Sequence, residues 1–188
     1  MLSKEKLRKI YYKKRKKNYF EIKSSFFNPV IKIINNSFLK KKINLAIYYP
    51  SNFEINVIKI FEKLNNNKKI RTLLPKIKLK NDMYFYQWKL FDILRMNKYG
   101  ILEPSTVSKI FTPQVILLPL LIYDDYNQRI GYGKGFYDKF LNKYLKKNKK
   151  ILTIGVAFSF QKYNKLPVSR YDVKLDYILT EKGIVIKK

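Results

Sequence analysis

The chain has 188 residues, with 41 Lys or Arg against 13 Asp or Glu, a formal charge of +28, no His and no Cys. That inventory excludes disulfides, thiolate nucleophiles, Cys- or His-ligated metals and a Ser-His-Asp triad, so any catalysis rests on carboxylates, lysines, arginines, tyrosines, backbone amides or a bound cofactor. At 46% hydrophobic it can bury a sizeable core, and residues 1–188 suit one compact domain.

The positive charge has two explanations. Lys and Arg that neutralise phosphates release counterions, which favours a nucleic-acid partner. Yet lysine supplies 35 of the basic residues and arginine only 6, whereas base readout favours the bidentate fork of arginine. Asn, Ile, Tyr and Phe are abundant as well, so drift toward AT-rich codons accounts better for the lysines than a dedicated polyanion surface does. No apolar signal core follows Met1 to Lys17, and the most hydrophobic run, Val115 to Ile122, is too short to span a bilayer and contains Pro119. The expectation is a cytosolic protein with no membrane partner.

Taken in order, Ser3 to Lys17 predicts a short basic helix with Leu7, Ile10 and Tyr11 at helical spacing. Asn28-Pro29 predicts an N-cap and first helical residue, followed by an apolar face of Val30, Ile33, Ile34 and Phe38. Ile43 to Tyr49 predicts a strand ended by Pro50, and then a helix with the stripe Ile55, Ile58, Phe61 and Leu64. Asn65 to Lys69 predicts a polar loop, Ile70 to Leu74 a strand stopped by Pro75, and Met83 to Trp88 an aromatic strand. From Pro75 to Pro113 the pattern is least regular, which suits a hairpin or a binding loop. Gln114 to Leu118 predicts a buried strand, Phe136 to Tyr144 a helix, and Ile151 to Phe158 and Tyr177 to Thr180 two further strands. This alternation predicts an α/β fold: a mainly parallel central sheet flanked by helices.

The segment richest in chemistry is Arg129-Ile130-Gly131-Tyr132-Gly133-Lys134-Gly135-Phe136-Tyr137-Asp138. Alternating glycines permit unusual dihedrals and let a ligand approach the backbone closely. Amides at a helix N-terminus favour anions, Arg129 and Lys134 add charge, and Asp138 suits a magnesium ion bridging phosphates. The plainer alternative is a glycine-rich turn whose Asp138 complements the helix dipole. The pattern is neither a P-loop nor GxGxxG.

These elements, in this order, resemble the 5-formyltetrahydrofolate cyclo-ligase (5,10-methenyltetrahydrofolate synthetase) family. The resemblance runs through Lys4-Glu5-Lys6-Leu7-Arg8, Tyr49-Pro50 with Glu54, Leu74-Pro75, Met83, Trp88 and Gly100 to Pro104. It continues through Val115 to Pro119, the glycine loop, Gly155 to Phe158, Gln161, Leu166-Pro167, Asp172 and Asp176. It implies ATP- and Mg2+-dependent ring closure of 5-formyltetrahydrofolate, by a monomer that needs neither nucleic acid nor membrane. The formyl oxygen would be phosphorylated and then displaced by the nitrogen at position 10, chemistry that needs positioning and charge stabilisation more than a histidine.

By the same resemblance, Lys4, Glu5, Lys6, Leu7 and Arg8, with Arg129 through Tyr137, form the ATP site. Lys134 and Arg129 are the catalytic candidates, and Asp138 and Asp172 the magnesium ligands. Tyr49 and Glu54 would contact the folate together with Tyr132, Gly133, Lys134, Gly135 and Phe136. Trp88 and Tyr86 suit either a folate pocket or the core face of a strand, and Glu103 is a further pocket candidate without an assigned role. Phe136, Tyr171 and Leu120 depart from residues common in the family. The +28 charge suits a substrate carrying an oligoglutamate tail. A basic nucleic-acid-binding protein and another ATP-dependent small-molecule kinase or ligase stay open as alternatives.

Overall fold

The computed structural model describes residues 2–38, 42–64, 67–78, 81–106, 109–145 and 150–185. Helix α1 (Lys4–Asn18) starts where the Ser3 side chain accepts from the Lys6 amide. Helix α2 (Asn28–Ser37) runs directly out of a 3-10 turn at Ser24–Phe27, so Asn28 is its first residue and not the expected cap. Strand β1 (Ile43–Ala46) leads to a 3-10 turn at Val57–Ile60 and the single turn α3 (Phe61–Leu64). The expected stripe therefore shifts: Val57, Ile60 and Leu64 are buried while Ile58 and Phe61 are half-buried, because a 3-10 helix repeats every three residues. Of the predicted polar run, Asn65 and Asn66 lie outside the described residues, and residues 67–69 form the turn into β2 (Ile70–Ile77).

Strand β2 passes through Pro75, where the sequence predicts a stop. Trp88 N donates to Thr72 O, so the alternation of the antiparallel ladder turns the nitrogen of Pro75 away from β3 (Met83–Gln87) and toward β1, which has already ended. The ladder to β1 makes its last bond there, Ile47 N to Leu73 O, so the missing donor costs at most the single bond that Ile47 O would accept and none on the β3 side. The irregular middle of the chain holds a hairpin of β4 (Leu94–Met96) and β5 (Leu102–Pro104), followed by the short β6 (Ile110–Phe111). Next come β7 (Val115–Pro119) and a two-residue ribbon of β8 (Ile122–Tyr123) and β9 (Arg129–Ile130). Helix α4 (Phe136–Leu145), β10 (Leu152–Val156), β11 (Tyr177–Thr180) and β12 (Gly183–Ile184) complete the chain.

The main sheet has eight strands in the order β12-β11-β10-β7-β1-β2-β3-β6. The inner strands from β11 to β2 are parallel, and β12, β3 and β6 join antiparallel at the edges. The expected α/β fold with a mainly parallel sheet and flanking helices is the fold observed. Along β7, Val115, Leu117 and their neighbours on β1 and β10 pack under α2 and the 3-10 turns. Ile116 and Leu118 face the opposite side, against Phe140 and Leu141 of α4. Burial on both faces explains why β7 reads as an unbroken apolar run.

The chain enters the sheet at β1, moves one way to β2, and returns to β7 on the other side. The switch point lies between β1 and β7, and in open α/β sheets ligands bind beyond the carboxyl ends of the strands at such a point. Two loops meet there, one after β1 and one after β7. Gly155 of β10 allows close packing nearby: an added Cβ would lie 2.7 Å from methyl carbons of Ile178, Leu120 and Leu175. Gly155→Val is expected to cost about 1–3 kcal/mol by overpacking, read as a drop of several degrees in thermal midpoint with the far-ultraviolet dichroism of the folded protein unchanged.

Candidate active site

A cavity of about 380 Å³ opens at the switch point, within the size range of small-molecule sites. Its walls come from α1, the segment after β1, the β4–β5 hairpin, the glycine loop and Asp172. Lys4 and Arg8 line it, whereas Glu5 and Lys6 are exposed and Leu7 is buried in an apolar cluster with Tyr11, Leu121, Ile122, Ile130 and Leu166. Ile10, predicted to share that apolar face, is 45% exposed. Burial of Leu7 and Tyr11 seats the helix so that Lys4 and Arg8 point across the cavity mouth.

The glycine loop has the backbone its sequence requires. Gly133 and Gly135 adopt φ of +98° and +67°, a region glycine enters without strain. Arg8 Nε donates to Gly131 O at 2.9 Å, and a Cβ on Gly133 would lie 3.2 Å from the Arg8 guanidinium carbon. Glycine here lets a guanidinium lie against the main chain. Lys134 is exposed, with its ammonium 5.6 Å from the centre of the Tyr99 ring. Phe136 is half-buried against that same ring, 5.4 Å between centroids. The hairpin thus forms the wall opposite the loop, held by Glu103, which accepts from Ile77 N at 3.2 Å and Asn97 Nδ2 at 3.1 Å.

Two carboxylates sit at the basic end. Arg129 Nη2 and Val173 N donate to Asp138 Oδ1 at 2.9 and 3.1 Å, and Arg129 Nη1 donates to Val173 O at 2.8 Å. Lys4 Nζ pairs with Asp172 Oδ2, which also accepts from Ser169 N at 2.7 Å. Asp138 Oδ2 and Asp172 Oδ1 accept nothing among the described residues. No cluster of three or more acidic side chains suited to a metal occurs among those residues. Two hard oxygen donors without a closed cage fit magnesium, which usually takes one or two carboxylates and completes its shell with phosphate and water.

Farther in, Glu54 is buried. Its Oε2 accepts from Ser51 N at 2.8 Å, and its Oε1 accepts from the Tyr132 hydroxyl at 2.6 Å. Burial pushes the Glu54 carboxyl above the usual carboxylate range, against the pull of Tyr132, Ser51 and the Arg15 charge. The Tyr137 and Tyr132 hydroxyls are pushed up by burial and by the nearby Glu54. Tyr49 lines the cavity, but Trp88 and Tyr86 do not: Trp88 belongs to the core beside Tyr49 and Phe61, and Tyr86 is 2% exposed within the sheet. Of the residues that depart from the family pattern, Leu120 is buried and Tyr171 is 62% exposed.

A sequence profile of the 5-formyltetrahydrofolate cyclo-ligase family matches residues 2–181. The chain belongs to that family. A 5-formyltetrahydrofolate cyclo-ligase of Haemophilus influenzae is 29% identical over 143 residues, covering 72% of this chain and 74% of the relative. One of Mycoplasma pneumoniae is 28% identical over 137 residues, covering 73% and 72%. Among solved structures, the 5,10-methenyltetrahydrofolate synthetase of Aquifex aeolicus superposes with a TM-score of 0.74 at 29% identity, over 97% of this chain and 92% of that one. The synthetase of Mycoplasma pneumoniae gives 0.68 at 28% identity, over 95% and 98%. The fold of a cyclo-ligase family enzyme and the expectation of a folate ligase therefore stand. No helix among the described residues is long and apolar enough to cross a membrane.

Several residues of the cavity wall carry no motif in the sequence, notably Tyr48, Asn52, Asn97, Tyr99 and Ile101. Arg15 is likewise unmarked by any motif, yet it is 1% exposed despite lying in a basic helix. A usable signal existed: Lys4, Arg8, Tyr11 and Arg15 fall at i, i+4, i+7 and i+11, one face of a helix.

The Lys4–Asp172 pair yields a pH prediction. Burial raises the Asp172 carboxyl, but Lys4 and the Ser169 amide outweigh it and leave it below the usual aspartate range. A carboxyl lowered in the folded state contributes stability above the ordinary aspartate range, and that contribution is lost as pH falls through the lowered value. Lys4→Met is expected to cost about 0.5–1 kcal/mol at neutral pH, given the partial exposure of the pair. Urea unfolding should show this gap at neutral pH and its closure in acid.

Proposed function

We propose that the chain catalyses the ATP- and magnesium-dependent closure of 5-formyltetrahydrofolate to 5,10-methenyltetrahydrofolate, with release of ADP and phosphate. The observation that carries this is the shared cavity: a glycine loop flanked by Lys4, Arg8, Arg129 and Lys134 on one side, and the buried carboxylate of Glu54 on the other. The former suits phosphates and the latter suits the N–H donors of a pterin. The cavity is sized for the reacting ends of two substrates and opens outward for the remainder.

Lys4, Arg8 and the amides of Gly131 to Tyr137 bind the phosphates, as oriented backbone dipoles and cations do. Asp138 and Asp172 would hold magnesium, which when bound screens the phosphate charge. Arg129 is fixed to Asp138 and to Val173 O, so its part is to aim that carboxylate. Lys134 is exposed and makes no ion pair among the described residues, leaving a mobile ammonium for charge developing in transfer. Tyr49 and Glu54 orient the folate so that its formyl group faces the loop.

The formyl oxygen attacks the terminal phosphorus and ADP leaves. The nitrogen at position 10 then attacks the activated formyl carbon and loses its proton. The carbon–oxygen bond breaks, phosphate departs with the former formyl oxygen, and the methenyl bridge remains. No histidine or thiol is required. The carboxylates among the basic groups also favour a metal-bound nucleotide over a continuous polyanion, which they would repel.

Near-ultraviolet absorbance tests this proposal. A methenyl signal is expected only when 5-formyltetrahydrofolate, ATP and magnesium are all present with the protein; its absence from folded, ATP-binding protein would overturn the assignment. Lys134→Met is expected to lower kcat by about 10²–10³, the usual cost of one such charge-stabilising group, and near-normal turnover would remove Lys134 from the catalytic set.

A further inference from the structure

Arg15 is the most deeply buried cation of the site, and nothing in the chemistry above uses it. Its Nη1 donates to Leu120 O at 3.1 Å and its Nη2 to Asn52 O at 2.8 Å. The same Nη2 donates to the Tyr132 hydroxyl, which passes its own proton donor to Glu54 Oε1 at 2.6 Å. The Arg15 guanidinium also lies 5.5 Å from the centre of the Tyr132 ring. Helix α1, the glycine loop and the Glu54 segment are therefore joined by one hydrogen-bonded chain, Arg15 to Tyr132 to Glu54.

Two features make this chain more than packing. Burying an apolar side chain is favourable, whereas burying a guanidinium carries a desolvation penalty of several kcal/mol and is tolerated where its charge is answered. Here the answering charge is two hydrogen bonds away, through a hydroxyl on the glycine loop. The carboxylate also carries the wrong surroundings for an ionised group: besides Arg15, the titratable groups facing it are the hydroxyls of Tyr48, Tyr132 and Tyr137, all pushed up by burial. Ser51 supplies bonds to Oε2 but no charge. Arg15 is thus the cation that, after the bonds from Tyr132 and Ser51, partly offsets the desolvation that leaves the Glu54 carboxyl raised.

We propose that Arg15 is a positioning residue that acts through Tyr132 to keep the Glu54 carboxylate ionised and aimed at the pterin, and so ties folate recognition to the placement of the nucleotide loop. This rests on the folate assignment of the cavity made above. A carboxylate accepts from N–H donors with both oxygens when ionised and loses acceptor capacity when protonated. The Tyr132 hydroxyl fixes the orientation of Oε1, and it does so from between Gly131 and Gly133. A shift of the loop on nucleotide binding therefore reaches Glu54 without any contact between the two ligands.

The test follows the Glu54 carboxyl in ligand-free protein by carbon-13 NMR across pH, with Glu54→Gln identifying the signal. Tyr132→Phe and Arg15→Met are each expected to move that titration to higher pH, while Arg15→Lys, which keeps a cation, stays near the wild type. The acid limb of kcat/KM for 5-formyltetrahydrofolate should move in the same direction, with KM for the folate at neutral pH rising about tenfold or more, as for a lost bond to a buried charge. If Arg15 acts through Tyr132, the double variant shifts no further than the stronger single one.

An unchanged Glu54 titration in Tyr132→Phe overturns the proposal, and so do additive shifts in the double variant. If Arg15→Met fails to fold, Tyr132→Phe and Arg15→Lys still decide the matter, since they keep the buried volume. The NMR titration uses no substrate, so a wild type inactive on 5-formyltetrahydrofolate would sink the folate assignment while leaving the Arg15–Tyr132–Glu54 linkage separately measurable.

Discussion

The seating of α1 against the β8–β9 ribbon is the contact on which the site depends. Leu7 and Tyr11 bury themselves with Leu121, Ile122, Ile130 and Leu166, and the Tyr11 hydroxyl donates to Lys162 O at 2.9 Å. Burial of two such side chains is worth roughly 3–6 kcal/mol of apolar transfer, far more than the exposed Glu5–Lys9 pair on the other side of the helix contributes. Once these residues are fixed, the helical repeat delivers Lys4 and Arg8 to the cavity wall and Arg15 to a buried place behind it, against the Tyr132 hydroxyl. A purely solvated basic helix could not hold three cations in register.

The sheet supplies the complementary constraint. Strand order places the switch point between β1 and β7, so the segments leaving their carboxyl ends must diverge and leave a crevice. The first carries Glu54 and Tyr49, the second the glycine loop. Asp172, ahead of β11, completes the basic end from the same edge of the sheet. The groups proposed for the nucleotide and those proposed for the pterin thus sit on different loops over a common floor. That arrangement suits a transfer between two bound molecules better than binding of a single one.

Much of this was legible in the sequence, for identifiable reasons. Val115 to Leu118 is apolar on both faces and announces a central parallel strand, and the glycine spacing before Phe136 announces a loop-to-helix junction. Misreadings arose where local signals compete with tertiary context. Pro75 looks like a strand terminator because its tolerance depends on where β1 ends. Ile10 looks like a core residue because its exposure depends on how α1 is seated. The β8–β9 ribbon is too short to show any period. Arg15 has little contrast with its neighbours in a helix where lysine and arginine dominate, and only its spacing from Lys4, Arg8 and Tyr11 marks it. Asp138, Asp172, Glu54 and the loop cations emerged from the motif order and converge on the cavity.

The central claim is that the two halves of the cavity bring a formyl oxygen to a phosphorus atom. Isotope transfer tests it most directly. Substrate labelled with oxygen-18 in the formyl group would be turned over with ATP and magnesium in ordinary water, and the released phosphate analysed by mass spectrometry. Direct phosphorylation of the formyl oxygen predicts that the label leaves in the phosphate. Unlabelled phosphate, with the isotope recovered in water or formate, would contradict it.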